Sequence, residues 1–274
     1  MSELSSLFLE NCDFSALKKD ALKSLVNLKT LVVIRPQKCS HICLEHLGQL
    51  KWLGIKNIKH DDDLPQFKNF NADLNVLDVS NSRDLSSNRL EEIFKSCNFV
   101  KLKAFRFHGH LEDDFNINWL NKQPDSILEF LYLNGLNSLK GSFSNFLNLK
   151  LLDLSESKNF KFKSGVFIGL DNLKSLNLSK MSLRDLNNGL FKGLGNNLKK
   201  LNLSQNEINS ESIEKTAFFD LLNLNYLDLS NNQLSKIEPD MFSGMPNLAE
   251  LNLSHNTYLS PKLSTFGEKK RLIV

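Results

Sequence analysis

The sequence predicts an α/β solenoid, in which short repeats stack a parallel β-sheet on one side and loops on the other. Three observations predict this fold. Leucines recur in one frame along most of the 274 residues, the frames follow at a nearly constant interval, and apolar and polar residues alternate within each frame. Such alternation is typical of a strand with one buried face. Repetition at a fixed interval is typical of stacked architectures.

The frame is clearest in residues 224–234, which read L-x-x-L-x-L-x-x-N-x-L without a departure. Eleven frames of this type begin at Leu4, Leu28, Leu50, Leu74, Leu102, Leu128, Leu149, Leu173, Leu198, Leu224 and Leu248. The interval between starts varies from 21 to 28 residues and averages about 24. Because all the frames share one phase, the repeat extends along almost the whole chain.

Each frame predicts one short strand, with the leucines at positions four and six on its buried face. A single repeat cannot bury its leucines alone, so neighbouring repeats must stack to form a common core. We therefore expect a horseshoe-shaped solenoid with a concave parallel sheet and convex loops. Short 3-10 turns and an occasional α-helix are expected on the convex side.

Phenylalanines mark the segments that return the chain from one strand to the next. They precede the next frame by six or seven residues, at Phe143, Phe167, Phe191, Phe218 and Phe242. This spacing predicts a buried spine of aromatic rings in the convex half of each repeat. Replacing a buried ring of this kind by alanine should cost about 3–5 kcal/mol.

The asparagine at position nine is expected to turn its amide inward and satisfy backbone groups between repeats. An unpaired buried polar group costs about 1–3 kcal/mol, so the position is constrained. Asn206, Asn232 and Asn256 occupy it, and Cys12 replaces it in the first frame. The other frames carry Pro36, Ile58, Ser82, His110, Leu136, Ser157 and Met181. The C-terminal third is therefore regular and the middle is divergent.

The longest interval, which starts at Leu74, leaves room for a helix. Residues 87–97 place a serine N-cap at Ser87 before apolar residues at helical spacing, and end at Cys97. We expect one amphipathic helix on the convex side, with Cys97 as a small buried apolar residue.

Residues 191–198 and 234–242 resemble the leucine-rich repeats of animal cell-surface proteins. Toll-like receptors, chaoptin-like adhesion proteins and secreted leucine-rich proteins share this style of repeat. The resemblance implies a non-enzymatic recognition module that is extracellular in its parent protein and binds a protein or microbial ligand. The sequence departs from the family in one respect, because the cysteine-rich caps usual at both ends are missing.

Composition and charge exclude several other classes. The formal net charge is only +3, with basic and acidic residues interspersed, so no nucleic-acid partner is expected. No stretch approaches the ~20 apolar residues that span a bilayer, so no direct membrane insertion is expected. The sequence contains no phosphate-binding glycine loop, zinc-protease motif or nucleophile elbow. We therefore expect no enzyme activity and no cofactor.

Two clusters raise the question of a metal. Residues 39–46 contain two cysteines and two histidines, but their spacing matches no zinc motif and falls in a return loop. Residues 61–63 are three consecutive aspartates, for which a solvated loop is the favoured interpretation. No metal site is expected at either place.

The candidate binding residues lie at positions three, five and seven, which point away from the core. In the middle of the chain these positions are unusually apolar and aromatic, a composition typical of interfaces. The predicted ligand-binding residues are Trp52, Val76, Arg106, His108, Phe130, Tyr132 and Leu151, and position three also holds Ala104. We expect a protein ligand on this face, and a homodimer through the solenoid is a further expectation.

Domain organisation and localisation complete the expectations. The repeats form one solenoid over 1–259, followed by a tail over 260–274. The first frame starts at Leu4, so Leu7 and Leu9 would be poorly shielded, and we expect a fragment of a longer cell-surface or secreted protein. Sequons at Asn177, Asn202 and Asn252 follow from the repeat itself. The alternative is a cytosolic leucine-rich-repeat adaptor or regulatory scaffold.

Overall fold

The fold was obtained as a computed structural model, which describes residues 3–82, 84–97, 99–109, 114–121, 126–158, 160, 162–238, 240–259 and 271–273. The chain forms two compact units, Met1–Gly141 and Ser142–Val274. Each unit consists of short parallel strands that follow one another in sequence order, joined by return segments. The predicted α/β repeat solenoid is confirmed.

The first unit contains a parallel sheet in the order β1-β2-β3-β4-β5-β7. Its elements are β1 Ser6–Glu10, β2 Thr30–Ile34, β3 Trp52–Lys56, a 3-10 turn Asp61–Asp63, β4 Val76–Val79, α1 Ser87–Ser96, β5 Ala104–His108, β6 Phe115–Asn116, a 3-10 turn Ile117–Asn121, β7 Phe130–Asn134 and β8 Leu139–Lys140. The short strands β6 and β8 pair with each other, apart from the main sheet. In the main sheet, identical frame positions lie directly abreast, so the register derived from the leucine frames is correct.

The second unit continues the same pattern with shorter strands. They are β9 Leu151–Asp153, β10 Ser175–Asn177, β11 Lys200–Asn202, β12 Tyr226–Asp228, β13 Glu250–Asn252 and β14 Arg271–Ile273, with a 3-10 turn at Ser210–Ser212. All pair in parallel with their sequence neighbours. Strand β14 lies inside 260–274, the segment predicted to be a tail, and the division at residue 259 stays a prediction.

The aromatic spine is buried as predicted. Phe143, Phe167, Phe191 and Phe218 are at most 2% exposed, and Phe242 is 6% exposed. The rings of Phe191 and Phe218 are stacked, with 6.0 Å between their centroids, and Phe143–Phe167 and Phe218–Phe242 are tilted pairs at 6.2 and 6.3 Å. The spine therefore fills the half of each repeat that lies behind the strands.

Buried asparagines connect neighbouring repeats in the second unit. The side-chain amide of Asn232 donates to the carbonyls of Leu203 and Leu229, each at 3.0 Å, and its oxygen accepts from the Ile208 amide at 3.1 Å. Asn206 and Asn256 make equivalent bonds. The predicted inward turn of the amide is confirmed, because each asparagine satisfies groups on two successive repeats.

In a divergent frame a shorter side chain takes over this position. Ser82 is fully buried, accepts from the Ile58 amide at 3.3 Å and donates to the Ser80 carbonyl at 3.3 Å. A hydroxyl has fewer hydrogen-bonding sites than an amide, so it satisfies fewer backbone groups there than asparagine does elsewhere.

Helix α1 confirms the predicted element but shifts its cap by one residue. The N-cap is Ser86, not Ser87, and its hydroxyl accepts from the Arg89 amide at 3.2 Å. The carboxylate of Asp61 holds Ser86 in place by accepting from its amide at 3.0 Å and its hydroxyl at 2.6 Å. Cys97, at the helix end, is half-buried. Of the helices within the described ranges, none is long and apolar enough to cross a membrane.

Strand β1 is less covered than the strands that follow it. Leu7 and Leu9 are only half-buried, whereas their partners Leu31 and Val33 on β2 are 2% and 7% exposed. Phe8, which points to the other face, is 67% exposed. The expectation of poor shielding at this end therefore agrees with the structure.

Two consecutive phenylalanines provide a matched test of the spine. Phe218→Ala should lower the free energy of unfolding by about 3–5 kcal/mol, because it opens a cavity between stacked rings. Phe219→Ala should change it by less than about 0.5 kcal/mol, because surface substitutions are usually this small and Phe219 is 53% exposed. Chemical denaturation of both variants measures the difference. Equal losses would show that the spine does not carry the stability assigned to it.

Candidate functional site

The predicted binding residues of the first unit lie together on the outward face of its sheet. We refer to them as the sheet-face cluster: Trp52, Val76, Arg106, His108, Phe130 and Tyr132. The strand register places Trp52 beside Val76, and Arg106 beside Tyr132. Trp52 is 38% and Phe130 is 36% exposed, while the other members are half-buried. Large rings therefore stand at both sides of the cluster.

Two other residues of the predicted row lie outside this cluster. Ala104 lies between Val76 and Phe130 in the register but is 7% exposed, so it does not extend the apolar surface. Leu151 is half-buried on β9, in the second unit, and is described with that unit. Burial of Ala104 follows from its size, because a methyl group is easily covered by larger side chains on both neighbouring strands.

Asp78 belongs to this surface but was not predicted from the sequence. It lies on β4, at position five of the frame that starts at Leu74. Its side chain is only 1% exposed although it points to the outward face. The ammonium of Lys56 lies 2.7 Å from its Oδ2 atom, as an ion pair without hydrogen-bond geometry. Arg106 places Nη1 at 3.9 Å from the same oxygen. A buried carboxylate thus lies between two cations that are themselves partly exposed.

The neighbours of this charge cluster explain how Lys56 reaches it. Gly54 is the register partner of Asp78 on β3, and a Cβ atom placed there would be 3.6 Å from Cε of Lys56. The lysine stem therefore passes close beside the glycine. On the other side, Cζ of Arg106 lies 4.8 Å from the ring centroid of Tyr132, within the range of a cation–π interaction.

Within the sheet-face cluster, His108 lies at the carboxyl end of β5, next to Asn81. Nδ1 of His108 lies 3.1 Å from Oδ1 of Asn81. Asn81 has a φ of 57°, in the left-handed region that asparagine tolerates better than most residues. This contact fixes the imidazole beside the sheet rather than leaving it extended into solvent.

Comparison with known proteins agrees with this geometry. A family model described as "Leucine rich repeat" matches residues 196–257, the segment with the regular asparagines. The chain is built of leucine-rich repeats. It is 28% identical over 198 residues to the transforming growth factor beta activator LRRC33 of Danio rerio, covering 67% of this chain and 27% of that protein. It is 44% identical over 68 residues to Toll-like receptor 2 type-2 of Gallus gallus, covering 25% of this chain and 8% of that receptor.

Solved structures share the fold of these repeats. The Toll-like receptor in a TLR13–ssRNA13 complex matches 92% of this chain and 39% of its own, with a TM-score of 0.66 and 24% identity. Toll in the Drosophila Toll–Spatzle complex matches 98% of this chain and 40% of its own, with a TM-score of 0.62 and 15% identity. The chain therefore spans well under half the length of these relatives.

The leucine-rich repeats of the second unit present a different, polar face. Position five carries Asp153, Asn177, Asn202, Asp228 and Asn252. Each accepts a hydrogen bond from the amide of the serine two residues later, at 2.9 to 3.1 Å. Three of these residues are the sequon asparagines, and they form part of the local turn structure. The apolar and aromatic character of the first unit's face is therefore not a general property of the repeat.

Tyr226 is the aromatic member of this polar face. Its hydroxyl donates to Oδ2 of Asp228 at 3.0 Å. Burial, together with this hydrogen bond and the negative charge of Asp228, raises the pKa of Tyr226 to about 12. The tyrosine therefore stays a neutral donor across the physiological pH range.

The two clusters considered as metal sites have structural roles. Cys39 is buried and donates to the Asp63 carbonyl at 2.9 Å, and burial raises the pKa of its thiol to about 12. Cys43 is buried and donates to Gln66 Oε1 at 3.4 Å. Asp63 accepts from the Lys38 amide at 3.0 Å and the His60 amide at 3.2 Å. Within the described ranges, no three His, Cys, Asp or Glu side chains come close enough to hold a metal ion.

The contribution of the ion pairs between Asp78 and its two cations can be tested through the stability of the protein. Lys56→Met should lower the free energy of unfolding by about 1–3 kcal/mol, because it removes the nearer partner of a buried carboxylate while Arg106 remains. The double variant Lys56→Met with Asp78→Leu should recover most of this loss, because no buried charge is then left unpaired. Urea denaturation measures all three proteins.

Lys38→Met is the control, because it removes an ion pair with Asp13 at 3.9 Å in which both side chains are exposed. Its effect should stay below about 1 kcal/mol. A double variant that is less stable than Lys56→Met would contradict the buried-charge explanation.

Proposed function

We propose that the chain is a non-enzymatic recognition module that binds a protein ligand through the sheet-face cluster. The observation that carries this proposal is the pairing of two partly exposed rings, Trp52 and Phe130, with an arginine held over a third, Tyr132. Aromatic residues and arginine supply most of the binding energy in protein interfaces. Exposed apolar surface of this kind on a soluble fold is typical of an interaction site.

The position of the cluster favours binding as well. Its side chains project from hydrogen-bonded parallel strands, so the surface is largely formed before a ligand arrives. The cluster occupies four adjacent strands, which span about 14 Å at a spacing of about 4.8 Å. The six-stranded sheet of the first unit spans about 24 Å, which is enough for an interface of about 800 Å² on each partner. Leu151, in the second unit, stays a prediction as a ligand contact.

We further infer that the parent protein is a cell-surface or secreted protein of the receptor or adhesion type, of which this chain is a part. The likeness to Toll-like receptors and to a growth-factor activator supports this inference. The alternative is a cytosolic adaptor or scaffold, whose repeats usually return through helices. Of the described return segments, one contains an α-helix, α1, which gives the alternative little support.

Binding is tested with a paired variant on the sheet face. Trp52→Ala with Phe130→Ala should reduce capture of ligand proteins by at least about tenfold, because the anchors of an interface dominate its affinity. The melting temperature should change little, because both side chains are partly exposed. Proximity labelling by the tagged chain on cells measures capture, and calorimetry measures stability.

The matched control is Phe219→Ala with Leu222→Ala, which removes two side chains that are 53% and 50% exposed on a return segment. It should leave capture unchanged. An equal loss of ligand capture from both double variants would indicate non-specific hydrophobic binding rather than a specific site. If sheet-face variants only convert a dimer to a monomer in light scattering, the ligand is a second copy of the chain.

Localisation is tested by mass spectrometry of the protein from its natural cells. A glycan on Asn177 or Asn202 would require passage through the secretory pathway and would support the cell-surface proposal. Unmodified sequons, together with exclusion of the protein from a surface-biotinylated fraction, would favour the cytosolic alternative.

A further inference from the structure

The sheet-face cluster has a charge arrangement that goes beyond a general protein-binding surface. The buried carboxylate of Asp78 lies beside two cations, Lys56 and Arg106. These three side chains, the charge group, therefore carry a net positive charge. The side chains of Lys56 and Arg106 are 28% and 40% exposed, whereas that of Asp78 is 1% exposed. A ligand that approaches this face therefore meets the cations and not the carboxylate.

The group is also incompletely satisfied. Nε of Arg106 and Oδ2 of Asp78 are buried and have no hydrogen-bond partner among the described residues. Buried polar atoms are normally paired, and leaving them unpaired costs free energy. A ligand carboxylate supplies the acceptor that Nε of Arg106 lacks, whereas Oδ2 of Asp78 already lies 2.7 Å from the Lys56 ammonium.

The geometry limits how the guanidinium can move. Arg106 is attracted to the ring of Tyr132 on one side and to the carboxylate of Asp78 on the other. An arginine restricted in this way loses less conformational freedom when it binds a carboxylate, and it can bind in a bidentate manner. Asp78 is thus a positioning residue, and Lys56 and Arg106 are the groups that meet the ligand.

The surroundings indicate what lies next to the ligand carboxylate. Trp52 and Phe130 provide partly exposed apolar surface on either side of the charge group. We propose that this face selects an acidic protein segment in which a carboxylate stands beside an aromatic or aliphatic side chain. This inference rests on the proposed function and specifies the chemistry of the ligand.

A nucleic acid is the less suitable occupant. Single strands bind along continuous positive tracks with exposed rings. At the amino edge of the same sheet the charges are of both signs, because Asp73 pairs with both Lys51 and Lys101 and Glu129 lies near Lys103. The rings of the sheet face adjoin the cations of Lys56 and Arg106 and not a continuous positive track.

Two synthetic polymers provide the probes. Random poly(Glu,Tyr) presents carboxylates beside aromatic rings, and poly(Lys,Tyr) presents the opposite charge with the same rings. The full chain should bind poly(Glu,Tyr) at least about tenfold more tightly than poly(Lys,Tyr), and added salt should weaken this binding. Biolayer interferometry measures both polymers, with poly(U) as the nucleic-acid probe.

Single substitutions test whether Lys56 and Arg106 cause the preference for poly(Glu,Tyr). Arg106→Gln and Lys56→Gln should each weaken poly(Glu,Tyr) binding by about fivefold or more, because each removes one exposed cation of the site. Arg106→Lys should retain part of the affinity, because it keeps the charge but loses the planar fork. Lys192→Gln, which removes an exposed cation from a return segment of the second unit, should have no effect. Calorimetry confirms that each variant is folded.

The outcomes separate this inference from the proposed function. Equal binding of the two polymers, or an Arg106→Gln variant that binds poly(Glu,Tyr) normally, would overturn the acidic-ligand proposal. If the Trp52→Ala with Phe130→Ala variant still loses its cellular ligands in that case, the proposed recognition function holds although the acidic-ligand proposal fails. Tighter binding of poly(U) than of poly(Glu,Tyr) would replace the acidic protein by a nucleic acid and so also overturn the proposal.

Discussion

Each repeat of this protein depends on its neighbours, because no repeat can bury its own leucines or satisfy its own buried backbone groups. The inward amide of Asn232 shows this constraint directly, since it contacts carbonyls on its own repeat and on the one before. The stacked rings of the spine impose the same requirement on the opposite side of the repeat. Stability is therefore distributed over contacts between adjacent repeats.

This constraint leaves the outward positions of the strands comparatively unrestricted. At positions five and seven the second unit has asparagine, aspartate and serine, which form local turns. The first unit has Trp52, Arg106, Phe130 and Tyr132 at outward positions, where they expose more apolar surface, and it keeps one such turn, between Asp78 and Ser80. The same backbone thus supports two faces of different chemistry, and this difference is the basis for the binding site proposed on the first unit.

Much of this could be predicted from the sequence, because the leucine spacing determines which side chains point inward. The strands, the phenylalanine spine and the asparagine bonds all follow from that spacing. The degree to which outward side chains are buried does not follow from the leucine spacing. Ala104 and Asp78 both occupy outward positions, yet they are buried because larger or longer side chains on adjacent strands cover them.

Pairs and caps that depend on a second repeat are harder to predict from the sequence than the strands. Ser86 caps α1 because Asp61, in the preceding repeat, fixes its backbone and hydroxyl. The contact between Lys56 and Asp78 requires the space beside Gly54, which becomes visible only when β3 and β4 are placed side by side. The register that the frames provide would have brought Asp78 and Arg106 together, and that signal was available in principle.

The buried position of Asp78 has a consequence for how this surface can change. Rings such as Trp52 and Phe130 can be exchanged during evolution or in engineering with little effect on folding, because they are partly exposed. A change at Asp78 alters the internal charge balance and, if the acidic-ligand proposal holds, the ligand preference at the same time. New specificities should therefore arise first at the aromatic positions, while the acidic residue and its two cations are inherited as one unit.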